Sequence, residues 1–173
     1  ELIGTHMKIL GIDFDGFIHD CIELYNEIGN QAKTNIGQPA NGTVDQIRAT
    51  KELPKSKAHE EFWTEYLQVL NQNRHRMTNM IEGADIFLQE ALRKYDKVYV
   101  VSGSSEENIK HFFKINKLPK ITGIYHVRGS KAPKLRELNV TTYAGDMVVD
   151  ATDALAAEAR FIGVLHAHAF DQS

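Results

Sequence analysis

Five short apolar runs, separated by helical patterns, constrain the fold of this chain more than any other feature. Each run is nearly continuous in Val, Ile, Leu and Tyr, as expected for parallel strands that are buried on both faces. The predicted strands are Lys8–Asp13, Lys97–Ser102, Ile121–Val127, Val140–Gly145 and Phe161–Leu165. The helices predicted between them are Asp85–Tyr95, Ser104–Ile115, Ser130–Leu138 and Asp150–Ala159. This alternation predicts an α/β fold with a doubly wound, mainly parallel five-stranded sheet.

Two of these helices carry local signals at their starts. Ser104 is followed three residues later by Glu107, which is the form of a capping box, so the helix is predicted to begin at Ser104. Pro133 falls in the first turn of another predicted helix, where a missing backbone N–H is tolerated.

Residues 20–80 break the alternation, because they contain no convincing strand and instead predict two to four helices. The clearest helix runs from Ser56 to about Met77 and carries an apolar stripe that we interpret as core packing. The stripe consists of Phe62, Trp63, Tyr66, Leu67 and Leu70. Since the insertion follows the first strand, we expect it above the carboxyl ends of the strands, where ligands bind in open α/β sheets. The predicted organisation is a core of residues 7–19 and 81–173 with a helical cap of residues 20–80.

Composition sets limits on location and partners. A chain of 173 residues suffices for one domain with a small second lobe, and a net charge of -3 gives no broad basic surface for nucleic acid. Its single cysteine, Cys21, favours a reducing, cytoplasmic compartment, and we interpret it as a small buried residue. No apolar run approaches the ~20 residues that a membrane helix needs. We expect a monomer or homodimer, with residues 1–6 an expression-tag remnant and Met7 the natural start.

Asp13-Phe14-Asp15-Gly16 directly follows the first apolar run. Two carboxylates this close at the end of a buried strand would raise each other's pKa unless a positive charge lies between them. A divalent cation is the usual solution, and Mg²⁺ prefers carboxylate and water oxygens. This motif therefore predicts a metal, and with it a phosphate that the metal helps to hold.

Three further polar motifs are predicted at the carboxyl ends of strands or at a helix start. They are Ser102-Gly103, Lys131, and Gly145-Asp146 with Asp150 four residues after Asp146. Most of these sequence fragments are common by themselves. The Asp-Gly of the first motif commonly marks a hairpin turn, Ser-Gly is common in loops, and Gly-Asp-x-x-x-Asp is common as a helix cap with a solvated charge. Together, in this order, they favour a phosphate site. His166 and His168 could share a strand face as metal ligands, but a surface or core role is favoured because no third ligand is evident.

In these motifs the chain resembles the haloacid dehalogenase superfamily, and most closely its branch with phosphoglycolate phosphatase and β-phosphoglucomutase. The opening Asp13-Phe14-Asp15-Gly16-Phe17-Ile18-His19-Asp20 is similar to the opening of that branch. Ile81-Glu82-Gly83-Ala84 resembles its return from the cap, and Arg160–Val164 its last core strand. The resemblance spans Met7 to about Ala169 and implies a Rossmann-like core with a cap between the first and second motifs.

The resemblance implies a role for each catalytic residue. Asp13 would attack phosphorus and form an aspartyl-phosphate, and Asp15 would act first as general acid and then as general base. The Ser102 hydroxyl and the Gly103 backbone N–H would bind the phosphoryl oxygens. Lys131 would supply fixed positive charge to the nucleophile and the phosphate. Lys134 is the alternative, and Lys131 is preferred because it opens the helix.

The resemblance also implies Mg²⁺ as the cofactor. Its ligands would be Asp13, the backbone carbonyl of Asp15, Asp146, and Asp150 directly or through water. The leading function is then a Mg²⁺-dependent phosphatase of a small phosphorylated metabolite. A phosphomutase of the same fold is one alternative. A non-catalytic protein that binds a phospho-ligand is another, suggested by Phe17 at a position where related sequences usually have Thr or Val.

Overall fold

Five parallel strands form one sheet in the computed structural model, which describes residues 6–40 and 57–164. The strands are β1 (Ile9–Ile12), β2 (Lys97–Ser102), β3 (Gly123–His126), β4 (Thr142–Gly145) and β5 (Arg160–Gly163). Their order is β3-β2-β1-β4-β5, and every neighbouring pair is parallel. The predicted doubly wound α/β sheet is confirmed. Leu165, His166 and His168 lie outside the described residues.

The strand order places a topological switch point beside β1. From β1 the chain proceeds through β2 to β3 on one side, and it returns to the other side of β1 for β4 and β5. Ile12 pairs with Val100 of β2 and with Ala144 of β4, so the residues that follow these three strands emerge at one edge of the sheet. Ligands bind at such an edge in open α/β sheets.

Six α-helices connect or precede the strands within the described residues. They are α1 (Ile22–Asn35), α2 (Lys57–Gln72), α3 (Ala84–Lys94), α4 (Glu106–Ile115), α5 (Ala132–Glu137) and α6 (Val148–Ala156). A 3₁₀ turn at Arg74–Arg76 follows α2, within the longer helix predicted there. No helix in residues 6–40 or 57–164 combines the length and apolar character needed to cross a bilayer.

The predicted capping box at Ser104 is wrong. Helix α4 is capped by Ser105, whose hydroxyl accepts a hydrogen bond from the Asn108 N–H at 3.2 Å. Ser104 is engaged elsewhere, since its hydroxyl donates to the carboxylate of Asp15. The serine that matched the sequence pattern therefore belongs to the loop that follows β2.

The described residues divide into two compact units, one of residues 6–20 and 79–164 and the other of residues 21–40 and 57–78. In the first unit, the central strands β1, β2 and β4 are buried, as are the helix residues Leu88, Ile109 and Leu135, whereas β5 is exposed along its length. The second unit is helical, and α1 packs against α2 with Tyr25 edge-on to Tyr66.

The apolar stripe of α2 differs from the predicted one, since Trp63 is only half-buried and Leu67 is exposed. Phe62, Tyr66 and Leu70 are buried as predicted, whereas Leu67 is 46% exposed and Val69 is buried in its place. The inward face of α2 is therefore turned slightly from the face that the sequence pattern favoured.

The two segments that lead out of the first unit and back into it pair with each other. The Asp20 N–H donates to the Asn79 carbonyl, and the Ile81 N–H donates to the Ile18 carbonyl, both at 2.9 Å. His19 and Met80 form an antiparallel bridge between these two bonds. The chain thus leaves and re-enters the first unit at one point.

Candidate active site

Three carboxylates meet at the carboxyl ends of β1 and β4. Asp13 directly follows β1, and its N–H donates to the Ala144 carbonyl at 2.9 Å, which extends the ladder by one residue. Asp146 follows β4, and Asp150 lies in the first turn of α6. One carboxylate oxygen from each of these aspartates lies within 4.8 Å of the other two. The structure therefore brings together three residues that the sequence predicts as metal ligands.

Two glycines leave the space that these carboxylates occupy. A Cβ on Gly16, which has a φ of 76°, would lie 2.1 Å from Asp146 Oδ2. A Cβ on Gly145 would lie 2.5 Å from Asp150 Oδ2. The donor set of these three aspartates contains only oxygen, and the Lys131 ammonium group lies beside two of the three carboxylates, those of Asp13 and Asp150. Hard oxygen ligands with excess negative charge fit a divalent cation such as Mg²⁺.

The Nζ of Lys131 lies 3.0 Å from Asp13 Oδ1 and 2.9 Å from Asp150 Oδ1, and the Lys131 side chain is 12% exposed. Lys134, one turn further along α5, instead pairs with the exposed Glu137 at 2.7 Å. Of the two lysines that the sequence left open, the structure places Lys131 among the carboxylates.

Two residues that the sequence did not indicate hold Lys131 in place. The Tyr143 hydroxyl accepts from Lys131 Nζ at 2.8 Å and donates to the Val101 carbonyl at 3.1 Å. The Asp153 carboxylate accepts from the Lys131 N–H at 3.0 Å. Asp153 lies three residues after Asp150 on one face of α6, a spacing that could have indicated it. Tyr143 gave no such signal, because it occupies an ordinary apolar position of a buried strand.

Burial and charge determine the protonation of this cluster. Burial raises the pKa of Asp13 from 3.8 to about 7, with Asp150 and Asp146 adding to the effect and Lys131 opposing it. Burial alone would lower the pKa of Lys131, but Asp13, Tyr143 and Asp150 outweigh it and hold that pKa well above its usual range. Lys131 is therefore a permanent cation beside a carboxyl group that ionises with difficulty without further positive charge.

Asp15 lies beside this cluster and is held by two other side chains. Its Oδ1 lies 2.9 Å from His19 Nδ1, and its Oδ2 accepts a hydrogen bond from the Ser104 hydroxyl. The backbone turns tightly here, because the N–H groups of Phe17, Ile18 and His19 all point to the Phe14 carbonyl. Neither His19 nor Ser104 was predicted as part of the site.

Ser102 and Gly103 end β2 at the same edge of the sheet. Ser102 is buried, and its hydroxyl accepts a hydrogen bond from the Ser104 N–H at 3.1 Å. Gly103 is exposed, and the atom nearest to a Cβ built on it would be the Val127 carbonyl oxygen at 3.9 Å. A hydroxyl and an exposed backbone N–H are suitable donors for phosphoryl oxygens.

Phe17 and Cys21 are both buried. The Phe17 ring packs edge-on against Phe87 of α3, with ring centroids 5.2 Å apart. Its bulk is thus accommodated against a helix. Cys21 is 1% exposed and is the single cysteine of the chain, so it forms no disulfide within it, which agrees with its interpretation as a small buried residue.

Comparison with known proteins identifies the fold. Neither a protein-family model nor a curated protein matches the sequence. A solved haloacid dehalogenase-like hydrolase from Bacteroides fragilis is 19% identical, with a TM-score of 0.76 over 95% of this chain and 92% of that one. This chain has the haloacid dehalogenase-like fold. The resemblance that the Asp13–Asp20 opening indicated is confirmed at the level of the fold.

Other solved structures with the haloacid dehalogenase-like fold carry names of enzymes. A predicted phosphoglycolate phosphatase from Haemophilus somnus is 12% identical, with a TM-score of 0.68 over 92% of this chain and 86% of that one. CbbY from Rhodobacter sphaeroides, solved in complex with phosphate, is 15% identical, with a TM-score of 0.69 over 92% of this chain and 87% of that one.

Within the haloacid dehalogenase-like fold, this cluster combines carboxylates with a buried cation. Asp13 is a buried carboxylate 3.0 Å from the Lys131 ammonium group, and Asp15 is a second carboxylate two residues away. Charge stabilisation and positioning account for most catalysis of phosphoryl transfer, so a cluster of this kind is chemically suited to that class of reaction.

Proposed function

We propose that this protein is a Mg²⁺-dependent phosphatase that hydrolyses a small phosphorylated metabolite through an aspartyl-phosphate on Asp13. The observation that carries the proposal is the cluster itself. Asp13 Oδ1 lies 3.0 Å from Lys131 Nζ, and the oxygens of Asp146 and Asp150 are within 4.8 Å. The names of the structural neighbours, among them a predicted phosphoglycolate phosphatase, support this class of reaction.

The reaction proceeds in two displacements at phosphorus. First, an Asp13 oxygen forms a bond to phosphorus, the bond from phosphorus to the leaving oxygen breaks, and Asp15 donates its proton to that oxygen. Then Asp15 takes a proton from water, the water oxygen bonds to phosphorus, and the bond to Asp13 breaks. Inorganic phosphate leaves, and both carboxyl groups return to their starting states.

The surrounding groups hold the phosphoryl oxygens during both displacements. Lys131 places a fixed positive charge next to the nucleophile, and Ser102 and the Gly103 N–H donate hydrogen bonds. Asp13, the Asp15 carbonyl, Asp146 and Asp150 would hold the metal. When bound, Mg²⁺ offsets the repulsion between an anionic nucleophile and an anionic substrate.

We further propose that residues 20–80 act as a cap that limits the substrate to small phosphate esters. Support comes from the sequence, where the insertion follows β1, and from the compact helical packing of α1 and α2 within their own unit. A cap that closes over a substrate excludes water and excludes large substrates. The enzyme should therefore hydrolyse small soluble phosphate esters and leave a folded phosphoprotein untouched, and we expect it to act in the cytoplasm.

The test is turnover of p-nitrophenyl phosphate with Mg²⁺ by the wild type and by Asp13→Asn. The amide cannot form the acyl phosphate, so turnover should fall at least about a hundredfold, or about 2.7 kcal/mol of transition-state stabilisation. Circular dichroism should show that the variant keeps its fold. A variant that retains more activity than this would exclude Asp13 as nucleophile, and an inactive wild type would exclude the phosphatase.

A further inference from the structure

His19 is a buried histidine whose polar contact is made with a proposed catalytic group. Its side chain is 1% exposed, and its ring stacks on Phe14 and meets Phe112 edge-on, with centroid distances of 5.3 and 5.2 Å. Its Nδ1 lies 2.9 Å from Asp15 Oδ1. A carboxylate oxygen only accepts hydrogen bonds, so Nδ1 is the donor when Asp15 is ionised. Two aromatic rings thus fix a donor against one oxygen of Asp15.

The contact with His19 contributes to the orientation of the Asp15 carboxylate. The torsion that rotates a carboxylate has a broad energy profile and by itself fixes no orientation. Here each oxygen has its own donor, with His19 at Oδ1 and the Ser104 hydroxyl at Oδ2. Because the two donors come from different segments of the first unit, rotation of the carboxylate in either direction would break one of the hydrogen bonds.

Packing alone does not require a histidine at this position. Between Phe14 and Phe112, a phenylalanine would fill similar space and would bury no polar nitrogen. Burying a polar ring in apolar surroundings costs free energy unless the ring is hydrogen bonded. The bond from Nδ1 to Asp15 is therefore one reason for an imidazole at this position.

We propose that His19 is a positioning residue that holds the Asp15 carboxylate in the orientation needed for proton transfer. This inference rests on the proposed function, in which Asp15 is the general acid and base. Orientation has a large effect on such steps, since displacement of a reacting group by about 1 Å can cost about a hundredfold in rate. His19 does not contact the reacting atoms in this role, and it acts only through Asp15.

The leaving group of the substrate provides the test. An alkyl phosphate needs a proton on its leaving oxygen, whereas p-nitrophenolate leaves without one, so only the alkyl substrate depends strongly on the general acid. His19→Phe should lower kcat/KM for an alkyl phosphate at least about tenfold, which corresponds to about 1.4 kcal/mol. It should change kcat/KM for p-nitrophenyl phosphate less than about threefold. A merely structural role would lower both values together.

Three further variants separate positioning from other effects. His19→Asn retains an N–H donor near the position of Nδ1 and should recover most of the alkyl phosphate activity. In an Asp15→Asn background, His19→Phe should cause no further loss, because its effect passes through Asp15. His111→Phe, the same substitution on a histidine of α4, should leave the ratio of the two kcat/KM values unchanged.

A crystal structure of His19→Phe decides the inference independently of activity. We expect the Asp15 carboxylate to rotate away from its wild-type orientation. An unchanged Asp15 rotamer, or equal losses on the alkyl and aryl substrates, would overturn the positioning role. If the wild type hydrolysed neither substrate, the proposed phosphatase function would be wrong, and the orientation of Asp15 in the variant would still decide whether His19 positions it.

Discussion

The buried carboxyl group of Asp13 makes the stability of the metal-free protein depend on pH. Its pKa lies at about 7 in the folded protein, compared with an ordinary value of 3.8. Between these values the folded protein keeps a proton that the unfolded chain has released. Stability is therefore lost as the pH rises through this window, and the loss is complete above the folded pKa. Asp13→Asn lacks this loss, because an amide is neutral in both states.

The size of the effect follows from the width of the window. A tenfold change in proton affinity corresponds to about 1.4 kcal/mol. Between pH 5 and pH 8, the wild type should therefore lose on the order of 3 kcal/mol of unfolding free energy relative to Asp13→Asn. This is a large fraction of the ~5–15 kcal/mol that stabilises a typical domain, so it should be measurable.

Urea denaturation in EDTA at the two pH values measures the effect. Glu137→Gln provides a matched control, because it is the same kind of carboxyl-to-amide change on a side chain that is 64% exposed and pairs with Lys134 instead of Lys131. Addition of Mg²⁺ at pH 8 should stabilise the wild type, by about 2.7 kcal/mol at one hundred times the dissociation constant. If the wild type and Asp13→Asn changed in parallel between the two pH values, the raised pKa of Asp13 would be refuted.

Three further predictions concern the metal and the lysine. EDTA should abolish hydrolysis, and Mg²⁺ should restore it. Ca²⁺ should support hydrolysis poorly, because its larger, looser coordination shell misplaces the carboxylates. Full activity in EDTA would contradict the metal assignment. Lys131→Met should lower kcat at least about a hundredfold and Lys134→Met less than about threefold, because of these two lysines Lys131 is the one that contacts Asp13. Equal losses of kcat in the two variants would contradict this role of Lys131. Tyr143→Phe keeps the ring but removes the hydrogen bonds to Lys131 and Val101, so kcat should fall about tenfold, and an unchanged kcat would show that Lys131 needs no phenol to hold it.

The sheet was largely predictable from the sequence because its strands are short and its central strands, β1, β2 and β4, are buried. The predicted burial on both faces is wrong for the edge strand β5, whose four residues are all exposed. β2 begins at Lys97 and ends at Ser102, as predicted, since its apolar run is bounded on both sides by polar residues or glycine. The predicted start of β5, Phe161, is one residue late, because Arg160 pairs through its backbone with β4 while its side chain is exposed. Hydropathy reports burial of side chains and not pairing of backbones, so it misses such ends.

The residues of the candidate site were predictable only where a local pattern marked them. Asp13 and Asp15 are two residues apart and follow a strand, so their spacing carried the signal. His19 looked like an ordinary residue after that motif, and Tyr143 like an ordinary strand residue. Their importance comes from contacts that form only when the chain folds. An example is the hydrogen bond from the Tyr143 hydroxyl to the Val101 carbonyl, which joins residues 42 positions apart in the sequence.

The pairing of the segments around His19 and Met80 has a consequence for the history of the chain. Because the Asp20 N–H is hydrogen bonded to the Asn79 carbonyl, the two ends of the segment 21–78 lie next to each other. The sheet therefore requires only that residue 20 and residue 79 be joined by some connecting segment. The entropic cost of closing such a loop grows slowly with its length. Segments of very different size could be exchanged between these two residues during evolution without altering the pairing of any strand. A shortened chain that joins residue 20 to residue 79 through a tight turn is a form that this geometry permits.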